Sequence, residues 1–142
     1  MILDTNFLIA LDAENPDAIE TARELEAEAH PRRVPSVVVA ELWTAVGKGS
    51  RTEENRQKFE RLLEGLPEVE LSTDIAKRAG EIEGQAQAAD ENDSGGGIVD
   101  AAIAATALEH DEPVLTRDEK DFVRRLQQNL GLDALRVELY TS

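Results

Sequence analysis

The chain has 142 residues, 41% of them hydrophobic, which suffices for one domain (1–142) that buries a core without disulfides or a structural metal. It has no cysteine, which excludes a disulfide framework and any thiolate metal site, and it has no apolar stretch of membrane-spanning length, so no membrane association and a cytoplasmic location are expected. Thirty acidic against 15 basic residues give a net charge of -15, spread along the chain rather than gathered in a tail. With 4% aromatics, this diffuse acidity points to a halophilic, haloarchaeal source rather than to disorder or a single basic partner.

In chain order, residues 1 to 4 read as a strand closed by Asp4. "NPDAIETARELEAEA" reads as a helix with Asn15 as N-cap and Pro16 at its first position. "RVPSVVVAELWTAV" begins extended and passes into a helix near Ser36, and "TEENRQKFERLLEGL" forms the next helix. "VEL" at 69–71 reads as a strand, and "STDIAKRAGEIEGQAQAA" spaces Ile75, Ala79, Ile82 and Ala86 as a helix does. "DENDSGGG", residues 90–97, reads as a loop within the domain. "GIVDAAIAATALEH" is a helix apolar on nearly every face, "PVLT" a strand, "DEKDFVRRLQQN" a helix and "LRVEL" a closing strand. Strands alternating with helices predict an α/β fold whose parallel sheet is covered on both faces and binds ligands at the carboxyl ends of its strands.

Four carboxylates stand out by context. Asp4 follows Met1-Ile2-Leu3, Glu41 lies in "VVVAELWTAV", Asp100 lies in "GGGIVDAAIAATAL", and Asp118 follows Val114-Leu115-Thr116. A lone buried carboxylate costs several kcal/mol, and Asp4, Glu41 and Asp100 have no Lys or Arg close in sequence. A divalent cation resolves the repulsion, and oxygen ligands without His or Cys favour Mg²⁺ or Mn²⁺. Each acid also has a plainer reading. Asp4 suits an Asx turn opening a helix, Glu41 and Asp100 suit first-turn helix acids, and "TRDE" suits a capping box of Thr116 with Glu119.

"LDTN", "VVVAELWTAV", "IVDAAIAATAL" and "VLTRDEKDF", in that order, resemble the PIN-domain family and, within it, the VapC-type toxins of toxin–antitoxin pairs. The resemblance spans essentially the whole chain and implies a metal-dependent endoribonuclease on a parallel sheet of about five strands. It assigns Asp4, Glu41, Asp100 and Asp118 to the catalytic metal site. Thr5, Asn6 and Thr116 fall on its supporting polar positions, and Asp121 on a supporting acid. It further implies an RNA substrate, a VapB-type antitoxin partner and a homodimer. The Gly-rich loop looks longer than the family norm, which predicts a more mobile approach to Asp100.

A nuclease this acidic repels RNA unless salt screens it, and Arg117, Lys48 and Arg51 are the candidates for RNA contacts. His30 and His110, near helix C-termini, receive no catalytic role. A receiver-like domain would want paired acids after the first strand and a nearby Lys, and a haloacid-dehalogenase phosphatase would want Asp where Asn6 stands. The remaining rival is a non-catalytic PIN-like module that binds RNA or an antitoxin.

Overall fold

Ile2, the centre of the first apolar run, is bonded on both sides. In the computed structural model, which describes residues 1–93, 95 and 97–140, strand β1 (Ile2–Leu3) pairs in parallel with β4 (Val114–Thr116), Ile2 opposite Val114. On its other flank Ile2 bridges Arg33, and the Leu3 amide donates to the Arg33 carbonyl at 3.0 Å. This joins β1 to β2 (Val34–Pro35), which pairs with β3 (Glu68–Val69), while β5 (Val137–Leu139) pairs with β4. The five parallel strands thus stand in the order β3-β2-β1-β4-β5.

The helices are α1 (Thr5–Asp12), α2 (Pro16–Ala27), α3 (Ser36–Lys48), α4 (Thr52–Leu63), α5 (Thr73–Ala89), α6 (Ile98–His110) and a π-helix (Glu119–Asn129). From β1 the chain steps through β2 to β3 in one direction, then returns across the sheet to β4 and continues to β5. Right-handed crossovers therefore place α1 to α4 on one face and α5, α6 and the π-helix on the other. Most of the packing follows this division: α3 meets α4 and α1, and α5 meets α6 and the π-helix, although α3 also meets α6. The reversal occurs between β1 and β4, so their carboxyl ends form the crevice where such sheets bind ligands.

Local signals account for most elements. Asn15 caps α2 by accepting from the amides of Asp17 and Ala18, and Ser72 caps α5 by accepting from Ile75. Helix α6 is buried from Ala101 through Ala107, as its uniformly apolar sequence predicts for a central helix.

Four local expectations need correction. Residues 5–12, given no element in the chain-order reading, form α1 as the plainer reading of Asp4 has it, because the Asp4 side chain caps the Thr5 amide and Phe7, Leu8 and Ala10 turn into the core. The strand expected at 69–71 ends at Val69, and Leu71 leaves the sheet with its amide donating to Ser36 Oγ at 2.9 Å. The last helix is a π-helix, not an α-helix, with the Leu130 amide bonded five residues back to Arg125. Its cap is Asp118, not the Thr116–Glu119 pair of the plainer reading, because Thr116 is fully buried in β4 and its hydroxyl is used elsewhere. As for the expected mobility of residues 90–97, Ser94 and Gly96 lie outside the described residues. Among the others, Asp93 and Gly97 are held by bonds to α5 and the π-helix.

Candidate metal centre

Asp4 is the residue where β1 becomes α1, and its burial follows from that position. It is only 4% exposed. One carboxylate oxygen accepts from the Thr5 amide at 2.8 Å, and the other accepts from Thr116 Oγ1 at 2.6 Å and Asn6 Nδ2 at 2.9 Å. Burial raises its pKa to about 6; the bonds from Thr116 and Thr5 oppose that rise, and the charges of Glu41 and Asp118 add to it.

Thr5, Asn6 and Thr116, expected only as supporting groups, are the residues that hold Asp4. Thr116 Oγ1 also accepts from the Asp118 amide at 2.9 Å and from Asn6 Nδ2 at 3.1 Å, which fills its bonding capacity. Thr5 Oγ1 donates to Glu41 Oε1 at 2.5 Å, linking α1 to α3. Glu41 stands in the second turn of α3, so it is not the first-turn acid of the plainer reading, and it is exposed despite its apolar neighbours in sequence.

Asp100 lies in the first turn of α6, which runs back towards the start of β4 and so brings its own N-terminus to the carboxyl edge. Burial raises its pKa to about 8, reinforced by the charges of Asp4, Asp121 and Asp118 and by the direct contact with Asp121. Asp118 is half-buried and also raised, first by burial, with the bond from the Asp121 amide opposing the shift. Carboxylate oxygens of Asp100, Asp118 and Asp121 lie within 4.8 Å of one another. Asp121, expected to be a supporting residue, is therefore in the tight cluster, whereas Asp4 and Glu41 adjoin it through Thr116 and Thr5.

This donor set fits a hard divalent cation. All three close groups are carboxylates, they repel one another, and burial holds Asp100 protonated where an ordinary carboxyl would be ionised. Of the expected RNA contacts, Arg117 is exposed beside the cluster, its amide donating to Asn6 Oδ1 at 3.4 Å. Lys48 ends α3, and Arg51 beyond it pairs at the surface with Glu54. Sequence reasoning missed Tyr140, whose hydroxyl donates to Asn6 Oδ1 at 3.2 Å and whose ring meets Phe7 edge-on. An isolated Tyr near the end of the chain carries no motif that could have marked it.

A family profile of the PIN domain matches residues 1–126. The chain belongs to the PIN-domain family. It is 28% identical over 126 residues to "Ribonuclease VapC2" of Rickettsia felis, covering 87% of this chain and 90% of that protein. The crystal structure of VapBC2 from Rickettsia felis, bound to a DNA fragment from its promoter, superposes with a TM-score of 0.78 at 25% identity, over 99% of this chain and 98% of that one. DNA-bound VapBC from Salmonella typhimurium shares the fold, with a TM-score of 0.77 at 22% identity over 97% and 96% of the two chains. This PIN-domain chain has, among the described residues, no helix long and apolar enough to cross a membrane.

Proposed function

We propose that this PIN-domain protein is an endoribonuclease of the VapC type, dependent on Mg²⁺ or Mn²⁺, that acts in the cytoplasm as the toxin of a toxin–antitoxin pair. The observation that carries this reading is the convergence of Asp100, Asp118 and Asp121 within 4.8 Å, with buried Asp4 at the β1–β4 crevice beside them. The ribonuclease name of the Rickettsia felis relative supports the reaction. The VapBC complexes among the similar structures support a VapB-type antitoxin as partner. A homodimer is part of the same proposal.

Asp100, Asp118 and Asp121 would hold the cation, with Asp4 completing the site from β1. When bound, such a cation supplies Lewis-acid stabilisation of the charge that builds on a phosphoryl group during hydrolysis. The chain's own residues arrange the rest. Thr116, Asn6 and Thr5 fix the Asp4 carboxylate in one orientation. Glu41, exposed yet tied to Thr5, is placed to orient or deprotonate a water at the open side of the site. To serve as a ligand Asp100 would have to be deprotonated, and burial pushes its pKa up to about 8, so cation affinity is expected to rise as pH rises through about 8.

RNA must approach a chain of net charge -15. At about 1 M salt the Debye length is about 3 Å, so distant surface acids act weakly on the substrate, and short contacts must carry affinity. Of the three candidate contacts Arg117, adjacent to Asp118 in sequence and exposed, is the one nearest the acids along the chain. Lys48 is seven residues beyond Glu41 on α3, about 10 Å along the helix axis, which suits a flanking nucleotide rather than the scissile phosphate.

The direct test is incubation of the purified chain with a mixed RNA pool in concentrated KCl, with Mn²⁺ or with a chelator, beside Asp4→Ala. Cleavage only by wild type and only with the cation supports the reading. A wild type that binds RNA or antitoxin but never cuts identifies a binding module instead.

A further inference from the structure

Arg125 reaches from the π-helix into the segment that joins α5 to α6. Its Nε donates to Asp93 Oδ2 at 2.6 Å and its Nη2 to Asp93 Oδ1 at 3.1 Å, a two-pronged contact with a fixed geometry. The same Nη2 lies 2.6 Å from Glu83 Oε1 on α5. The guanidinium is 13% exposed, and the Glu83 and Asp93 side chains are 8% and 10% exposed, so three charges meet out of water.

Glu83 passes this constraint on. Its second oxygen accepts from the Gly97 amide at 3.0 Å and from Gln87 Nε2 at 3.0 Å. Gly97 directly precedes α6, and its carbonyl receives the Ala101 amide at 2.9 Å, closing the turn that carries Asp100. A Cβ at Gly97 would fall 2.3 Å from Arg125 Nη1 and 2.9 Å from Glu83 Oε1, so any larger residue there would push these two side chains aside. On its own helix, Arg125 stands four residues after Asp121.

One side chain therefore ties together the two segments whose carboxylates must meet: the start of α6 with Asp100, and the start of the π-helix with Asp118 and Asp121. We propose that Arg125 is a positioning residue, clamping Asp93 and Glu83 so that Asp100 is held at cation-binding distance from Asp118 and Asp121. This rests on the cation-dependent reading of the site. Neither Arg125 nor its two partners touches the reacting groups, so the clamp acts on cation affinity before it acts on the chemistry.

The experiment is a calorimetric titration with Mn²⁺ alone, on the full chain in concentrated KCl, for wild type, Arg125→Lys and Asp93→Asn, with melting of each variant followed in parallel. Lys keeps the charge but not the fork, and Asn at position 93 keeps the bond to the Gly95 amide while weakening the clamp. The expected result is a dissociation constant raised about tenfold or more in Arg125→Lys and less in Asp93→Asn, as for residues that orient ligands without binding the metal. If Arg125→Lys fails to fold, Asp93→Asn decides the matter. Variants that melt lower yet bind Mn²⁺ as wild type does overturn the clamp while leaving the nuclease reading intact. A wild type that binds no Mn²⁺ overturns both.

Discussion

Thr116 Oγ1, at the end of β4, donates to Asp4 Oδ2 at the end of the neighbouring β1, 2.6 Å away. The same oxygen accepts from the Asp118 amide, so one buried hydroxyl orients two of the acids at the β1–β4 crevice. Thr116→Val keeps the shape and removes both of these bonds, together with the one from Asn6 Nδ2. The Thr5 amide is then left to oppose burial and the charges of Glu41 and Asp118, so the Asp4 pKa, already about 6, rises further because the lost bond was one that lowered it. The acid limb of the cleavage profile is expected to move to higher pH, with a stability loss of about 1–3 kcal/mol from the unpaired buried groups. A pH–rate profile and a denaturant melt check this, and an unmoved acid limb contradicts it.

Asp100 supplies a second expectation, with opposite sign from the usual carboxylate. Its folded pKa of about 8 lies above the ordinary 3.8, so the folded state keeps a proton that the unfolded state releases. The contribution of Asp100 to cation-free stability is therefore full below about pH 4 and is lost as pH rises to about 8. Asp100→Asn removes that loss. Without metal it is expected to melt at least a few degrees above wild type at pH 8 and close to it at pH 4, as differential melting at the two pH values would show. A variant less stable at both contradicts the electrostatic account.

Net charge makes a prediction about salt. Thirty acidic against 15 basic residues repel one another in the folded chain. Melting temperature is expected to rise steadily from dilute buffer into concentrated KCl, where screening is nearly complete. RNA cleavage is expected to persist there. A melting temperature that is independent of salt removes the halophilic reading of the composition.

Arg117 and the pair Lys48 and Arg51 should separate by their distance from the acids. Arg117→Ala is expected to raise KM for RNA about tenfold, consistent with losing one charged phosphate contact of about 1.4 kcal/mol. Replacing Lys48 and Arg51 together is expected to change KM less than Arg117→Ala does. Steady-state cleavage of one short RNA compares them, and the reverse order would place the substrate along α3 instead.

Much of this fold was legible because its signals are local. Asn15 acts as the cap its sequence suggests, and the uniformly apolar α6 is the buried central helix. Where reading failed, two local rules competed. Thr116 with Glu119 and Asp118 with Asp121 both have cap spacing, and only the pairing of β4 removes Thr116 from the contest. Helix α1 was marked only by Asp4, whose plainer reading as an Asx turn opening a helix is what its cap on the Thr5 amide fulfils, while the short apolar run Phe7-Leu8-Ile9 shows no helical period of its own. The π-helix buries Phe122 and Leu126, a spacing of four that an α-helix would show equally. At the site, Asp4 and Asp100 were legible as acids in apolar surroundings, yet that rule misplaced Glu41, whose apolar neighbours face the core while it faces out. The entry of Asp121 into the tight cluster depends on how the π-helix packs beside α6, which no local pattern encodes.

The most direct measurement is the Mn²⁺ dependence of melting temperature in concentrated KCl near pH 8, for wild type and for the double variant Asp118→Asn with Asp121→Asn. A cation held by the clustered carboxylates stabilises the folded chain by about 2.7 kcal/mol at a hundredfold excess over its dissociation constant, so wild type is expected to gain several degrees and the variant almost none. Equal shifts in both proteins, or no shift in wild type, would contradict the assignment of this cluster as the metal centre.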